Sequence, residues 1–230
     1  MTKKKGFIKK IVLGVIGSII LFIIVLFVNF KIFEKNFSSV SQGQPIENYS
    51  ERKVALLVVD IQEGTTGDVS RNSYYRKHSE ELIEKINYIS DNFENKNSLI
   101  IYIRSEISNP LINLLDNSYA KGSLGAKFDK RLKLFDSGLK VVKIGNDSFL
   151  DTELDHILIS NKINELFIVG LDAAYCINIT SEAAQNRHYY VSIIEEAILS
   201  ESKAMKDSMI MDFRNREIGI LSIDSIDFVE

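Results

Sequence analysis

The sequence predicts an α/β fold: a three-layer α/β/α unit with a six-stranded, mainly parallel sheet, preceded by one transmembrane helix. Three observations carry this. Short apolar runs of strand length recur through residues 53–230. Stretches with apolar residues at helical spacing separate most of them. Residues 11–30, IVLGVIGSIILFIIVLFVNF, contain no charged side chain.

The N-terminal helix comes first. MTKKKGFIKK (1–10) holds five lysines. The uncharged run that follows would rise roughly 30 Å as a helix, the thickness of a bilayer hydrocarbon core. It exceeds the usual length of about 7–15 residues for the apolar part of a signal peptide. No A-x-A-like cleavage site follows it. The expectation is a retained single-pass anchor in the cell membrane. By the positive-inside rule, residues 1–10 are cytoplasmic and the remainder is extracytoplasmic. Residues 31–52 are polar, are broken by Gly43 and Pro45, and read as a linker.

KVALLVVD (53–60) is a continuous apolar run ending in an acid, as expected of a strand buried on both faces. Residues 79–93 place Leu82, Ile83, Ile86 and Ile89 at helical spacing. NSLIIYIR (97–104) is a second strand, and LKVVK (139–143) a third. Thr152 is a suitable N-cap for a helix carrying Leu154, Ile157 and Leu158. ELFIVG (165–170) is the fourth strand. A helix over 174–186, a strand over 189–194, a helix over 203–213 and a strand over 217–223 complete the alternation.

Composition excludes some functions. The formal charge is −3 and the pI is near 5.8, so no basic face for nucleic acid is indicated. One cysteine forms no internal disulfide and no cysteine cluster for zinc. His78, His156 and His188 fall at spacings unrelated to a ligand set, so no catalytic metal and no cofactor are expected.

In parallel sheets, sites form beyond the carboxyl ends of strands. Asp60, Lys143 and Cys176 all occupy that edge. A thiol at a helix N-terminus and near an ammonium is expected to ionise. Asp60 is placed to take the thiol proton and return it to a leaving amine. Free N–H groups at the helix start would hold an oxyanion.

These residues also carry a resemblance. ALLVVDIQ (55–62), KGSLGA (121–126), VVKIGNDSFLDTELD (141–155), FIVGLDAAYCINITSEAA (167–184) and YYVSIIEEA (189–197) resemble the cysteine hydrolases of the isochorismatase-like superfamily, which includes nicotinamidases and N-carbamoyl amide hydrolases. The resemblance implies a Rossmann-like six-stranded sheet and a triad: Asp60 as general base, Lys143 as charge partner, Cys176 as nucleophile. It implies a cis peptide at Leu171–Asp172 and an oxyanion hole from the Asp172 and Cys176 amides. Nicotinamidases bind a metal with an acid and histidines after the second strand. Here that segment, YIRSEISNP (102–110), has Glu106 and no histidine. Isochorismatases proper work without the cysteine, so Cys176 favours amide-type cleavage.

The expected activity is hydrolysis of a C–N bond in a small amide or carbamoyl compound through a thioester on Cys176. Two other readings stay open: a catalytically silent binding or scaffolding member, and a thiol redox sensor. Phe149 and Tyr175 are candidates to face a planar substrate, with core filling the competing role for both rings. Arg71, Arg104 and Lys121 are candidate carboxylate partners, with solvated charge the default. Expected partners are a small-molecule substrate, the membrane through the N-terminal helix and, since family members form dimers or tetramers, a second copy in a homo-oligomer.

Overall fold

A computed structural model describes residues 2–226, with side chains from Phe7 onward apart from Lys9. The side chains of Lys3, Lys4, Lys5 and Lys9 in the basic segment, and residues 227–230 at the end of the predicted domain, lie outside the described residues.

Helix α1 (Thr2–Phe37) is continuous, and Lys10–Phe37 within it is long and apolar enough to cross a membrane. The predicted linker therefore starts as helix. From residue 38 it runs without regular structure and lies on the domain: Ser41 N donates to Asp147 Oδ2 (2.7 Å) and Ile46 N to Arg187 O (2.9 Å).

Six strands follow: β1 (Val54–Val59), β2 (Leu99–Ser105), β3 (Leu139–Lys143), β4 (Glu165–Gly170), β5 (Tyr190–Ile198) and β6 (Gly219–Leu221). Their order is β3-β2-β1-β4-β5-β6 and every pairing is parallel. The order reverses direction between β1 and β4, which opens a crevice at their carboxyl ends.

Helix α2 (Ser73–Asn95) covers one face of the sheet, packing Leu82, Ile83, Ile86, Ile89 and Phe93 with Leu56, Val58 and Phe167. It starts at Ser73 rather than residue 79 because Asn72 caps it, accepting from Tyr74 N and Tyr75 N. Helices α4 (Leu154–Ser160), α5 (Cys176–Asn186) and α6 (Lys203–Asn215) line the other face through Leu154, Leu158, Ile177, Ala183, Ala184, Ile210 and Phe213. Glu153, not Thr152, is the N-cap of α4, although the Thr152 hydroxyl accepts from Leu154 N (3.2 Å). The sixth strand shrinks to three residues at the sheet edge. A short helix, α3 (Pro110–Leu115), was not apparent in the sequence and lies beside α1.

Gly170 closes β4 with φ +116°, a conformation closed to most side chains. A Cβ there would meet Val59 O at 2.1 Å, so glycine lets β4 pass close to β1 beside the crevice.

Candidate active site

Asp60 is the first residue after β1, in a left-handed conformation (φ 54°) that is uncommon outside glycine. Its amide donates to Ile103 O of the neighbouring strand (2.9 Å), which fixes the turn. Lys143 ends β3, and the period-two alternation of that strand buries Val141 and Lys143 while Lys140 and Val142 face outward. A lysine at the end of an edge strand is ordinarily solvated; here the pleat turns it inward, and it is 1% exposed.

Strand β3 is two strands from β1, about 10 Å across the sheet. The lysine stem spans that gap by crossing over Ser105, its register partner at the end of β2. The ammonium has four acceptors: Asp60 Oδ2 (2.7 Å), Ser105 Oγ (2.9 Å), Gly145 O (2.9 Å) and Cys176 Sγ (3.2 Å). Ser105 Oγ donates to Asp60 Oδ1 (3.0 Å). Gln62 holds the end of β2, accepting from Ser105 N (2.7 Å) and donating to Ser105 O (2.9 Å). Three N–H bonds serve four acceptors. The long contact to sulfur is therefore the one with room to strengthen when sulfur becomes anionic.

Cys176 opens α5 directly after the turn at Ala173–Tyr175, two residues later than the start expected at 174. The residue is partly exposed, but its sulfur faces inward. The thiol donates to Asn146 Oδ1 at 3.4 Å. Burial and the nearby Asp60 carboxylate push the thiol up to about 12, against the opposing pull of Lys143. The helix start and the lysine favour ionisation, but burial and the aspartate outweigh the lysine at the sulfur, which favours the thiol over the thiolate until a base removes its proton. Burial alone would depress the Lys143 ammonium, but the Asp60 carboxylate opposes that and holds it above its ordinary value.

The Leu171–Asp172 peptide is cis. The Asp172 carboxylate is held by Tyr75 Oη, Ser200 Oγ (2.7 Å) and Ala174 N (2.6 Å). Neither the Asp172 amide nor the Cys176 amide has an acceptor among the described residues.

A cavity of about 310 Å³ opens above Asp60 and Cys176. Its wall includes Tyr75, Ile107, Tyr119, Leu171 and Tyr175, together with Phe37 and Ser38 from the end of α1. Burial, then the charge of Asp60, keep the Tyr119 phenol protonated.

Phe149 does not line this cavity. It is buried in the core, stacked on Tyr189 (6.1 Å) and lying under the Arg187 guanidinium (4.4 Å), because it joins the cluster that packs Leu154 and Ile177 against the sheet. The candidate carboxylate partners are also elsewhere: Arg71 pairs with Asp116 (3.3 Å), Arg104 with Glu106 (2.7 Å), and Lys121 does not line the cavity. No group of three or more His, Cys, Asp or Glu side chains is placed to hold a metal among the described residues.

Sequence reasoning missed Ser105, Asn146, Tyr75, Tyr119, Phe37 and Ser38. Ser105 was within reach, since it directly follows the predicted second strand. Nothing in NFSSVSQ marks residues 37 and 38 as a cavity wall.

The isochorismatase domain model matches residues 54–225. The chain belongs to the isochorismatase family of hydrolases. An isochorismatase-family protein of Bacillus subtilis, YrdC, is 24% identical over 147 residues, 64% of this chain and 74% of its own length. The same fold occurs in N-carbamoylsarcosine amidase from Thermoplasma acidophilum (TM-score 0.65, 21% identity, 76% of this chain and 99% of that one). It also occurs in nicotinamidase PncA from Bacillus subtilis (TM-score 0.66, 18% identity, 74% and 99%). This isochorismatase-family domain starts at residue 54, so Phe37 and Ser38 reach its cavity from outside the matched region.

Proposed function

We propose that the protein is a membrane-anchored cysteine amidohydrolase that cleaves a C–N bond in an amide or carbamoyl compound. The observation that carries this reading is the contact set around Lys143 Nζ, with Asp60 at 2.7 Å and Cys176 Sγ at 3.2 Å at the base of an open cavity. The two amidases that share the fold support the choice of C–N bond.

Cys176 Sγ attacks the substrate carbonyl carbon as its proton passes to Asp60. Ionisation is thus coupled to attack rather than completed beforehand, which a thiol raised to about 12 requires. The anion forming on sulfur gains the Lys143 N–H, and the carbonyl oxygen gains the free amides of Asp172 and Cys176. Asp60 returns the proton to nitrogen, the C–N bond breaks, and the amine leaves a thioester on Cys176. Water then attacks the thioester carbon and Asp60 takes its proton. Sulfur leaves, is reprotonated, and the acid product departs.

A neutral resting thiol also bears on the redox-sensor reading. Oxidation to sulfenic acid proceeds through the thiolate, so a protonated sulfur is a slow sensor. Helix α1 supports the anchor, with the domain on the extracytoplasmic side by the lysine asymmetry.

The test is ammonia release by the full chain from primary amides, ureides and carbamoyl acids, with and without chelator. Turnover should survive chelation, and Cys176→Ala should lower kcat by more than about a thousandfold while circular dichroism is unchanged. Residual turnover by that variant within tenfold of wild type would rule the thioester route out.

A further inference from the structure

The wall of the cavity and the end of the apolar helix are the same piece of chain. Phe37 is the last residue of α1 and lines the cavity with Ser38. The join is structural: Asn146 N donates to Phe37 O (2.8 Å), and Asn146 is the acceptor for the Cys176 thiol. Downstream, Ser41 O accepts from Arg187 Nη1 (3.2 Å), and Arg187 is itself buried and paired with Asp155 (2.7 Å).

The upper part of α1 also touches the domain. Leu26, Asn29, Phe33 and Phe37, which recur at helical spacing, are partly covered while their neighbours are exposed. Asn109, the N-cap of α3, donates to Asn29 Oδ1 (3.2 Å). The uncharged run ends at Phe30, so Asn29 marks the edge of the hydrocarbon core. Phe37 lies about 12 Å further along the helix. The interfacial layer on each side of the core is about 5–8 Å deep, so Phe37 falls just outside it, while Ile107, two residues from the Asn109 that meets Asn29, brings the opposite side of the cavity wall within its depth. Lys31 and Glu34, paired at 2.7 Å, lie in that same layer. Helix α3, tied to Asn29, shows Leu114 and Leu115 to the outside at 66% and 54% exposure. Exposed apolar side chains held beside an anchor at this depth suit contact with lipid better than with water.

We propose that the cavity opens at the lipid headgroup layer and takes the polar amide end of a membrane-borne amphiphile, whose apolar chain remains in the bilayer alongside α1 and α3. This rests on the anchored-hydrolase reading above and names its substrate class. The size agrees: about 310 Å³ holds a small head but not a long chain. The wall agrees as well, since Phe37 and Ile107 offer apolar contacts to the first methylenes beyond the amide.

Cys176 is the one cysteine of the chain, so alkylation reads access to the site without requiring turnover. The full chain is reconstituted in phosphatidylcholine vesicles and treated at alkaline pH with iodoacetamide or N-hexadecyl iodoacetamide, with labelling followed by mass spectrometry. The hexadecyl reagent should label Cys176 more than about tenfold faster, because partition concentrates it at the headgroup layer. Replacing both leucines (Leu114→Asp with Leu115→Asp) should remove most of that advantage and leave the iodoacetamide rate unchanged. Equal hexadecyl rates in the two proteins, or a hexadecyl rate below that of iodoacetamide, would overturn the proposal. A second reading does not depend on the aspartates folding. The chain has no tryptophan, so Leu114→Trp gives a single reporter. Lipids brominated near the headgroup end of the acyl chain should quench it, and absence of quenching would overturn the proposal too. Loss of the hydrolase reading would show separately, as no ammonia from any amide with labelling preference intact.

Discussion

The floor and the wall of the cavity are built in different ways. The floor is made of strand ends: Asp60 after β1, Ser105 on β2, Lys143 on β3, with Cys176 opening α5 just past β4. Asp60, Ser105 and Lys143 are buried at strand ends, and the sulfur of the partly exposed Cys176 faces inward beside them. The wall comes from irregular chain and from outside the matched domain: Tyr119 after α3, Tyr175 before α5, Phe37 and Ser38 at the end of α1. Side chains on rigid elements suit chemistry, which tolerates little displacement. Side chains on loops suit recognition, which varies between relatives. On the proposed mechanism, reaction belongs to the floor and substrate choice to the wall.

The sharpest way to break that division is to remove the lysine at its centre. Lys143→Met keeps the stem and leaves a buried Asp60 with no counter-ion. Stability should fall by about 3–5 kcal/mol in chemical denaturation. Turnover should be lost below detection. A stable, active Lys143→Met protein would mean that the floor is not an electrostatic unit. A smaller effect is expected from the wall. Phe37→Ala removes a ring from the lip without touching Asp60, Lys143 or Cys176. KM should rise about fivefold while kcat stays within about twofold. The pH profile of Cys176 alkylation in this variant should match that of wild type. A large loss of kcat would place Phe37 in the chemistry and erase the distinction.

The same division governed what the sequence disclosed. Asp60, Lys143 and Cys176 were legible because a strand end is a predictable place. Apolar runs such as ALLVV and ELFIV locate the sheet, and parallel order puts their carboxyl ends on one edge. Ser105 was nearly legible, needing only the β2–β3 register. The protonation state of Cys176 was not legible, because it depends on the balance of Asp60 against Lys143 at the sulfur. That balance is set by distances the sequence does not hold. Phe149 was misplaced for a related reason: an aromatic after a catalytic strand can turn to cavity or core, and the Arg187 and Tyr189 neighbours that decide it are far along the chain. The linker was read from composition. Its backbone groups instead pair with side chains of the domain, as Ser41 N does with Asp147 and Ser41 O with Arg187.

The central claim is that Asp60 and Lys143 oppose one another at a sulfur that stays protonated until attack. The direct measurement is the pH dependence of Cys176 alkylation by iodoacetamide in wild type and in Asp60→Asn. In wild type the rate should still be climbing through mildly alkaline pH towards a midpoint of about 12. In Asp60→Asn the midpoint should move to lower pH, because Lys143 keeps its charge and the thiolate becomes its counter-ion. Labelling at neutral pH would then rise even as amide turnover is lost. A midpoint that is unchanged in the variant, or that moves upward, would contradict the account.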